Sequence, residues 1–253
     1  MGQNPEPTGA GAQAGAGLAP NVAAAVSYVG ANVTGAVFYI LERTPFVRFH
    51  AWQAMLFGVA WIALWQLLGA VADVLFALSG LLGVVGILTA LASLVGGLLV
   101  SVIVGLGGFV VWLLLILKAY GGAPFKLPIL GDMAERYAAS AEPSQKGVFA
   151  YVLGPITGVY LLMQPGHDSF VRFHAWQSII LSVGVFVLGV VFGFVSSVLS
   201  GVHVLAAFFE LARVAIVTLG GMYFWLTALI KAGNGELYKV PYIGDYAEQQ
   251  AAR

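Results

Sequence analysis

The octapeptide FVRFHAWQ occupies residues 46–53 and occurs again, letter for letter, at 170–177. Each copy stands at the head of a long apolar run. Between Arg48 and Lys118 the single formal charge is Asp73, and between Arg172 and Lys231 the charges are Glu210 and Arg213. A helix needs about 20 apolar residues to cross the hydrocarbon of a bilayer. Runs of 69 and 58 residues therefore predict two helices each, turning at the glycine-bearing SGLLGVVG (79–86) and SGVH (200–203). The octapeptide then marks a helix entering the membrane. Arg48 and Arg172 would snorkel to the headgroups, with His50, Trp52, Gln53, His174, Trp176 and Gln177 at the lipid–water boundary.

Composition points the same way. Only 9% of residues are charged, 60% are hydrophobic and the mean hydropathy is +0.93, whereas a soluble domain carries about 25% charged residues to wet its surface. Lys and Arg balance Asp and Glu at 11 each, so there is no basic field for nucleic acid. The absence of cysteine excludes disulfides and thiolate chemistry. The opening MGQNPEPTGAGAQAGAGLAP (1–20) reads as a flexible tail rich in Gly, Ala and Pro.

The duplication extends beyond the octapeptide. YVGANVTG (28–35) matches YVLGPITG (151–158), and KAYGGAPFKLPILGDMAE (118–135) matches KAGNGELYKVPYIGDYAE (231–248) without a gap. The offset falls from 124 at the octapeptide (46 to 170) to 113 at the lysine (118 to 231), so the first unit holds 11 extra residues that lengthen a helix or loop. The units span 21–137 and 147–250, joined by the linker 138–146. Apolar segments at 21–41 and 147–163 predict one more crossing ahead of each octapeptide. The expected fold is thus an all-α polytopic membrane protein with about six crossings in two homologous three-helix units. An odd count per unit makes them an inverted repeat. One face would then carry seven basic residues (Arg43, Arg48, Lys118, Lys126, Arg136, Lys146, Arg213) and the other four (Arg172, Lys231, Lys239, Arg253). The positive-inside rule would place both termini outside.

The pattern Y-x-x-G-P-I-T-G, then F-V-R-F-H-A-W-Q-S, then K-A-x-x-G-x-x-Y-K-x-P-x-I-G-D-x-A-E resembles the Tic-twenty-like family of small bacterial and archaeal membrane proteins. That family is related to a component of the chloroplast inner-envelope protein-import complex. The resemblance implies a tandem duplication of a unit of roughly a hundred residues, and membership in a larger membrane complex by analogy at the level of fold.

Small residues four apart, Ala31 with Gly35 and Gly154 with Gly158, predict close helix packing. His50 and His174 are the candidate cofactor ligands, since a neutral imidazole ligates metal or haem. No carboxylate or second histidine stands at i+3 or i+4, so an interfacial structural role is preferred and no cofactor or metal is assigned. Gly131 and Asp132, with Gly244 and Asp245, read as a turn and helix cap. The pairs Asp132/Glu135 and Asp245/Glu248 share a helix face that would bind a divalent ion only weakly. Asp73, Glu210 and Arg213 are candidate intramembrane charges, without counterparts in the other unit.

No catalytic constellation is visible, and the expected function is non-enzymatic: a scaffold or accessory subunit bound to other membrane proteins in a bacterial cytoplasmic membrane. Two alternatives remain. One is a small transporter or channel on inverted repeats. The other is a pigment- or quinone-contacting subunit of an electron-transfer or photosynthetic complex, suggested by 16 Phe, 10 Tyr and 6 Trp.

Overall fold

A proline and an aspartate set where the octapeptide helices begin. In the computed structural model, which describes residues 16–79, 83–139, 145–166 and 168–253, helix α3 (Pro45–Ser79) opens on a proline. Its ring presets φ for a first helical turn, where the missing N–H is not needed. Helix α8 (Ser169–Val198) is capped by Asp168, which accepts a hydrogen bond from the Val171 N–H at 2.9 Å. The first returns as α4 (Gly83–Tyr120). The second returns through α9 (His203–Arg213), a π-helical segment Val214–Gly220 and α10 (Gly221–Gly233). The tail residues 1–15, residues 80–82 of the first glycine turn and linker residues 140–144 lie outside the described residues.

The protein is all-helical, with no strand among the described residues. Among the described residues four helices are long and apolar enough to cross a membrane: Pro45–Ser79, Val85–Tyr120, Ser169–Gly201 and His203–Gly233. Seven of the 11 extra residues lengthen the first pair, which measures 35 and 36 residues against 33 and 31 in the second.

The two further crossings are not seen. The 21–41 segment is split into α1 (Pro20–Val26) and α2 (Asn32–Leu41), and its counterpart into α6 (Gln145–Val152) and α7 (Pro155–Met163). At 1.5 Å per residue these pieces are only about 10–15 Å long, half the hydrocarbon thickness at most. Each break has the same construction. Ala31 (φ +41°) and Gly154 (φ +55°) take a backbone conformation that favours glycine. Thr34 Oγ1 donates to the Ser27 carbonyl (2.7 Å) and accepts from the Gly30 N–H (3.0 Å). Thr157 does the same for Ala150 (2.9 Å) and Leu153 (3.3 Å). The freed backbone groups are satisfied inside protein, as they must be within a membrane.

The broken segment enters and leaves at one end. Asn21 donates to the Tyr120 carbonyl (2.9 Å), and Trp112, farther along α4, donates to the Tyr28 carbonyl (2.8 Å). Beyond the break, α2 climbs back along α3, with Asn32 against Gly58 and Gly35 against Ala51 and Met55. The second unit repeats this course through Trp225 Nε1 to the Tyr151 carbonyl (2.9 Å), then Gly158 against Ala175 and Ile179.

With two long helices per unit, α3 and α8 run in the same direction rather than inverted. Their first turns share one apolar cluster containing Tyr39, Val47, Trp52, Val148, Tyr151 and Leu229. Farther along, Gln66 donates to Thr218 (3.4 Å), and near the last turns Asp73 and Phe76 face Ser196 and Ser197 across a cavity. The buried core therefore lies at the octapeptide end. The lower helices expose apolar side chains, among them Leu94, Ile103, Phe186 and Phe194 at about two-thirds or more.

Candidate functional site

The octapeptide polar groups converge with a tyrosine that the sequence reading passed over. In the first unit Gln53 Nε2 donates both to the Tyr28 hydroxyl (2.9 Å) and to the Phe125 carbonyl (2.9 Å), while its Oε1 accepts from the Leu127 N–H (3.0 Å). The Tyr28 hydroxyl lies 2.9 Å from His50 Nδ1. In the second unit Gln177 joins Tyr151 (3.0 Å), the Tyr238 carbonyl (2.9 Å) and the Val240 N–H (2.9 Å), and Tyr151 lies 3.0 Å from His174 Nδ1. The network assigns the tautomer. A tyrosine hydroxyl that accepts from glutamine donates its own proton, so Nδ1 is the acceptor and Nε2 carries the imidazole hydrogen. Burial pushes both tyrosine hydroxyls above the usual phenol range, the glutamine hydrogen bond opposing it.

Each clamp ties a short helix, a long helix and the Lys-x-Pro turn together. Both histidines are fully buried, which corrects the expectation of a lipid–water boundary position. Phe46 and Phe49 stand edge-on to His50 (4.6 and 5.0 Å between ring centres), and Phe170 and Phe173 to His174 (4.5 and 5.0 Å). Neither Nε2 makes a hydrogen bond of standard geometry; the backbones of Ala123 and Glu236, matched positions, lie alongside.

Arg48 does not snorkel either. It is buried, donates to the Tyr39 hydroxyl (3.1 Å) and stacks over the Tyr39 ring at 4.9 Å. Arg172 is half-buried, with Leu162 where the first unit has Tyr39. Trp52 packs between Tyr39 and Tyr137 (5.1 and 5.0 Å), and half-buried Trp176 packs against a small cluster of Phe173, Ala247 and Ala251.

Of the small-residue pairs, Gly35 and Gly158 are contact positions. A Cβ there would come within 2.7 Å of the Ala51 carbonyl and 2.8 Å of the Ala175 carbonyl. Ala31 and Gly154 are instead the break residues. Gly131 and Gly244 let helices α5 (Leu130–Ala138) and α11 (Gly244–Ala251) approach Lys126 and Lys239, which a Cβ would strike at 2.8 and 2.5 Å. The cap positions are Ile129 and Ile243 rather than the aspartates, which occupy the first turn, where the helix dipole favours negative charge. Lys126 pairs with Glu135 (2.6 Å), and Lys239 with Asp245 (3.0 Å) and Glu248 (2.7 Å). These acids hold both lysines above the usual lysine range, Glu135 leading in the first and Glu248 in the second. A divalent ion would have to displace a lysine.

Asp73, Glu210 and Arg213, 137 or more residues apart between units, come together. Arg213 makes a two-pronged pair with Glu210, its Nε lying 3.0 and 2.9 Å from the two carboxylate oxygens. Asp73 shares a cavity wall with Glu210. What duplicates is the clamp; what does not duplicate meets between the units.

Residues 145–247 match the model of the MamF/MmsF family, described as a magnetosome magnetite crystal formation protein family. A UPF0132 membrane protein of Methanocaldococcus jannaschii is 36% identical over 124 residues, covering 48% of this chain and 91% of the relative. A UPF0132 membrane protein of Archaeoglobus fulgidus is 36% identical over 104 residues, covering 41% and 90%. A further M. jannaschii UPF0132 protein is 31% identical over 140 residues, covering 53% and 82%. No solved structure matches the chain. These matches overturn the Tic-twenty-like assignment, for which none of them gives support. Each relative aligns over most of its own length with about half of this chain, as one unit of a two-unit protein would. The chain belongs to the UPF0132 family of membrane proteins.

Proposed function

We propose that the protein is a non-enzymatic membrane scaffold or accessory subunit of a larger complex, seated in a bacterial cytoplasmic membrane with its octapeptide end inside. The observation that carries the reading is the duplicated Tyr–His–Gln clamp. The glutamines, the tyrosines and one nitrogen of each histidine are spent on internal hydrogen bonds that fix the helices and the Lys-x-Pro turns. The motif that looked most like a site serves as a frame. The description attached to the family model, magnetite crystal formation, also favours organising a structure over turning over a substrate.

Orientation follows from charge. With α3 and α8 parallel, Arg43, Arg48, Lys118, Lys126, Arg136 and Lys146 share the octapeptide end with Arg172, Lys231, Lys239 and Arg253. All the basic residues except Arg213 therefore stand at that end, and none stands in the sequence between the two long helices of either unit. By the positive-inside rule this end and both termini are cytoplasmic. The parallel arrangement replaces the seven-to-four division expected for inverted units.

The test is purification of the full chain in a mild detergent with mass and absorption spectrum recorded together. A colourless particle much heavier than one or two chains is expected. A monodisperse single chain would contradict the scaffold reading, and a visible chromophore would favour a pigment-contacting subunit.

A further inference from the structure

At the end of the helices remote from the octapeptides, a cavity of about 500 Å³ opens between the two units. Asp73, Phe76 and Ala77 line it from α3, and Ser196, Ser197 and Ser200 from α8 and the turn after it. His203, Ala206, Ala207 and Glu210 close it from α9. Elsewhere the lower helices present almost nothing but apolar side chains. Asp73 and Ser197 are matched positions of the two units (offset 124) and face one another across the opening. Glu210 sits at its inner wall in the two-pronged pair with Arg213, and that pair separates it from a second cavity of about 480 Å³ lined by Asn32, Ser182, Thr218 and Trp225.

The charges do not balance. Arg213 pairs with Glu210 and also attracts Asp73, so the three charges sum to one net negative at this end of the helices. His203 is the remaining titratable group on the wall. A cation bound at Asp73 would restore neutrality. Among the described residues no three His, Asp or Glu side chains converge as a metal site would need, and the volume is that of an organic-ligand pocket, commonly about 300–1,000 Å³. The walls suit a cation with an apolar body. Carboxylate and serine oxygens accept N–H hydrogen bonds, and Phe76, Ala77, Ala206 and Ala207 supply carbon surface.

We propose that this inter-unit cavity is a binding site for a small organic ammonium ion, held by Asp73 and the serine hydroxyls opposite. The site lies between the two units and is independent of the scaffold reading.

The experiment measures thermal unfolding of the full chain in detergent, titrated with n-butylammonium chloride and, at equal ionic strength, with sodium chloride. A saturable rise in midpoint with butylammonium above that with sodium is expected. Asp73→Asn is expected to weaken binding about tenfold or more, the effect of losing a charge-assisted hydrogen bond, and Ser197→Leu, which fills the opposite wall, to do the same. Equal midpoints in the two salts would overturn the proposal. So would an undiminished butylammonium response in whichever of the two variants folds.

Discussion

The two ends of the helices tell different histories. At the octapeptide end the two clamps agree atom for atom. Tyr28 and Tyr151, His50 and His174, Gln53 and Gln177, and Trp112 and Trp225 make the same bonds with lengths within 0.1 Å of one another. At the far end Asp73 meets Ser197 as its counterpart, Glu210 matches Gly97 and Arg213 matches Val100. Among the described residues a π-helical segment, Val214–Gly220, is present in the second unit alone. Identical halves teach what folding requires, and the divergent halves hold the features that single out this protein.

The comparison breaks most readily at the clamps. Gln53→Leu and Gln177→Leu each remove the donor to a tyrosine hydroxyl and strand a backbone carbonyl and a backbone N–H, a loss on the order of 3 kcal/mol. The two substitutions are expected to lower the unfolding midpoint in detergent by similar amounts. A large effect in one unit with none in the other would mean that only one clamp supports the fold. Gly158→Leu and Gly35→Leu come next, at about 2–3 kcal/mol, because the new side chain meets a carbonyl and forces the short helix off its neighbour. An unchanged midpoint would place that helix face against lipid.

Smaller effects are expected where the units differ. Arg48→Lys loses the stack on Tyr39 and is expected to lower stability by about 1 kcal/mol; Arg172→Lys, opposite Leu162, is expected to do so by less. Ala31→Gly relieves a positive φ and is expected to stabilise by about 1 kcal/mol. Gly154→Ala imposes the same strain on the second unit, adds a Cβ 2.5 Å from Ser182 Oγ, and is expected to destabilise by more than Ala31→Gly stabilises. Paired melting curves of these variants check the order.

Much of the fold was legible in the sequence. Charge-free runs behind each octapeptide mark the four long helices, and the fall in offset from 124 to 113 locates their difference in length. The breaks at Ala31 and Gly154 were not legible by length alone, since 21 apolar residues satisfy a crossing criterion even when a threonine stitches them into two short helices. Pro155 after Gly154 was the available signal: a proline beside a positive-φ glycine starts a new helix rather than kinking an old one. From that miscount came the inverted topology and the divided charges. The clamp was half visible. Tyr28 and Tyr151 stand in the repeated Y-x-x-G motif, and Trp112 and Trp225 recur at the same offset as Lys118 and Lys231, so constant spacing was the sign of their roles. The meeting of Asp73 with Glu210 had no sequence signal, because it depends on two units packing side by side.

Whether the units run parallel can be read from cysteine accessibility, since the chain has no cysteine of its own. Ile129 and Tyr242 occupy matched turns at the octapeptide end and are 75% and 100% exposed, while Val202 lies in a far turn and is 58% exposed. Single cysteines at these three positions would be treated with a membrane-impermeant thiol reagent in intact cells and again after permeabilisation. Ile129→Cys and Tyr242→Cys are expected to stay unlabelled until the membrane is opened, and Val202→Cys to react at once. Labelling of one matched turn but not the other in intact cells would put the two units on opposite faces and contradict the parallel arrangement.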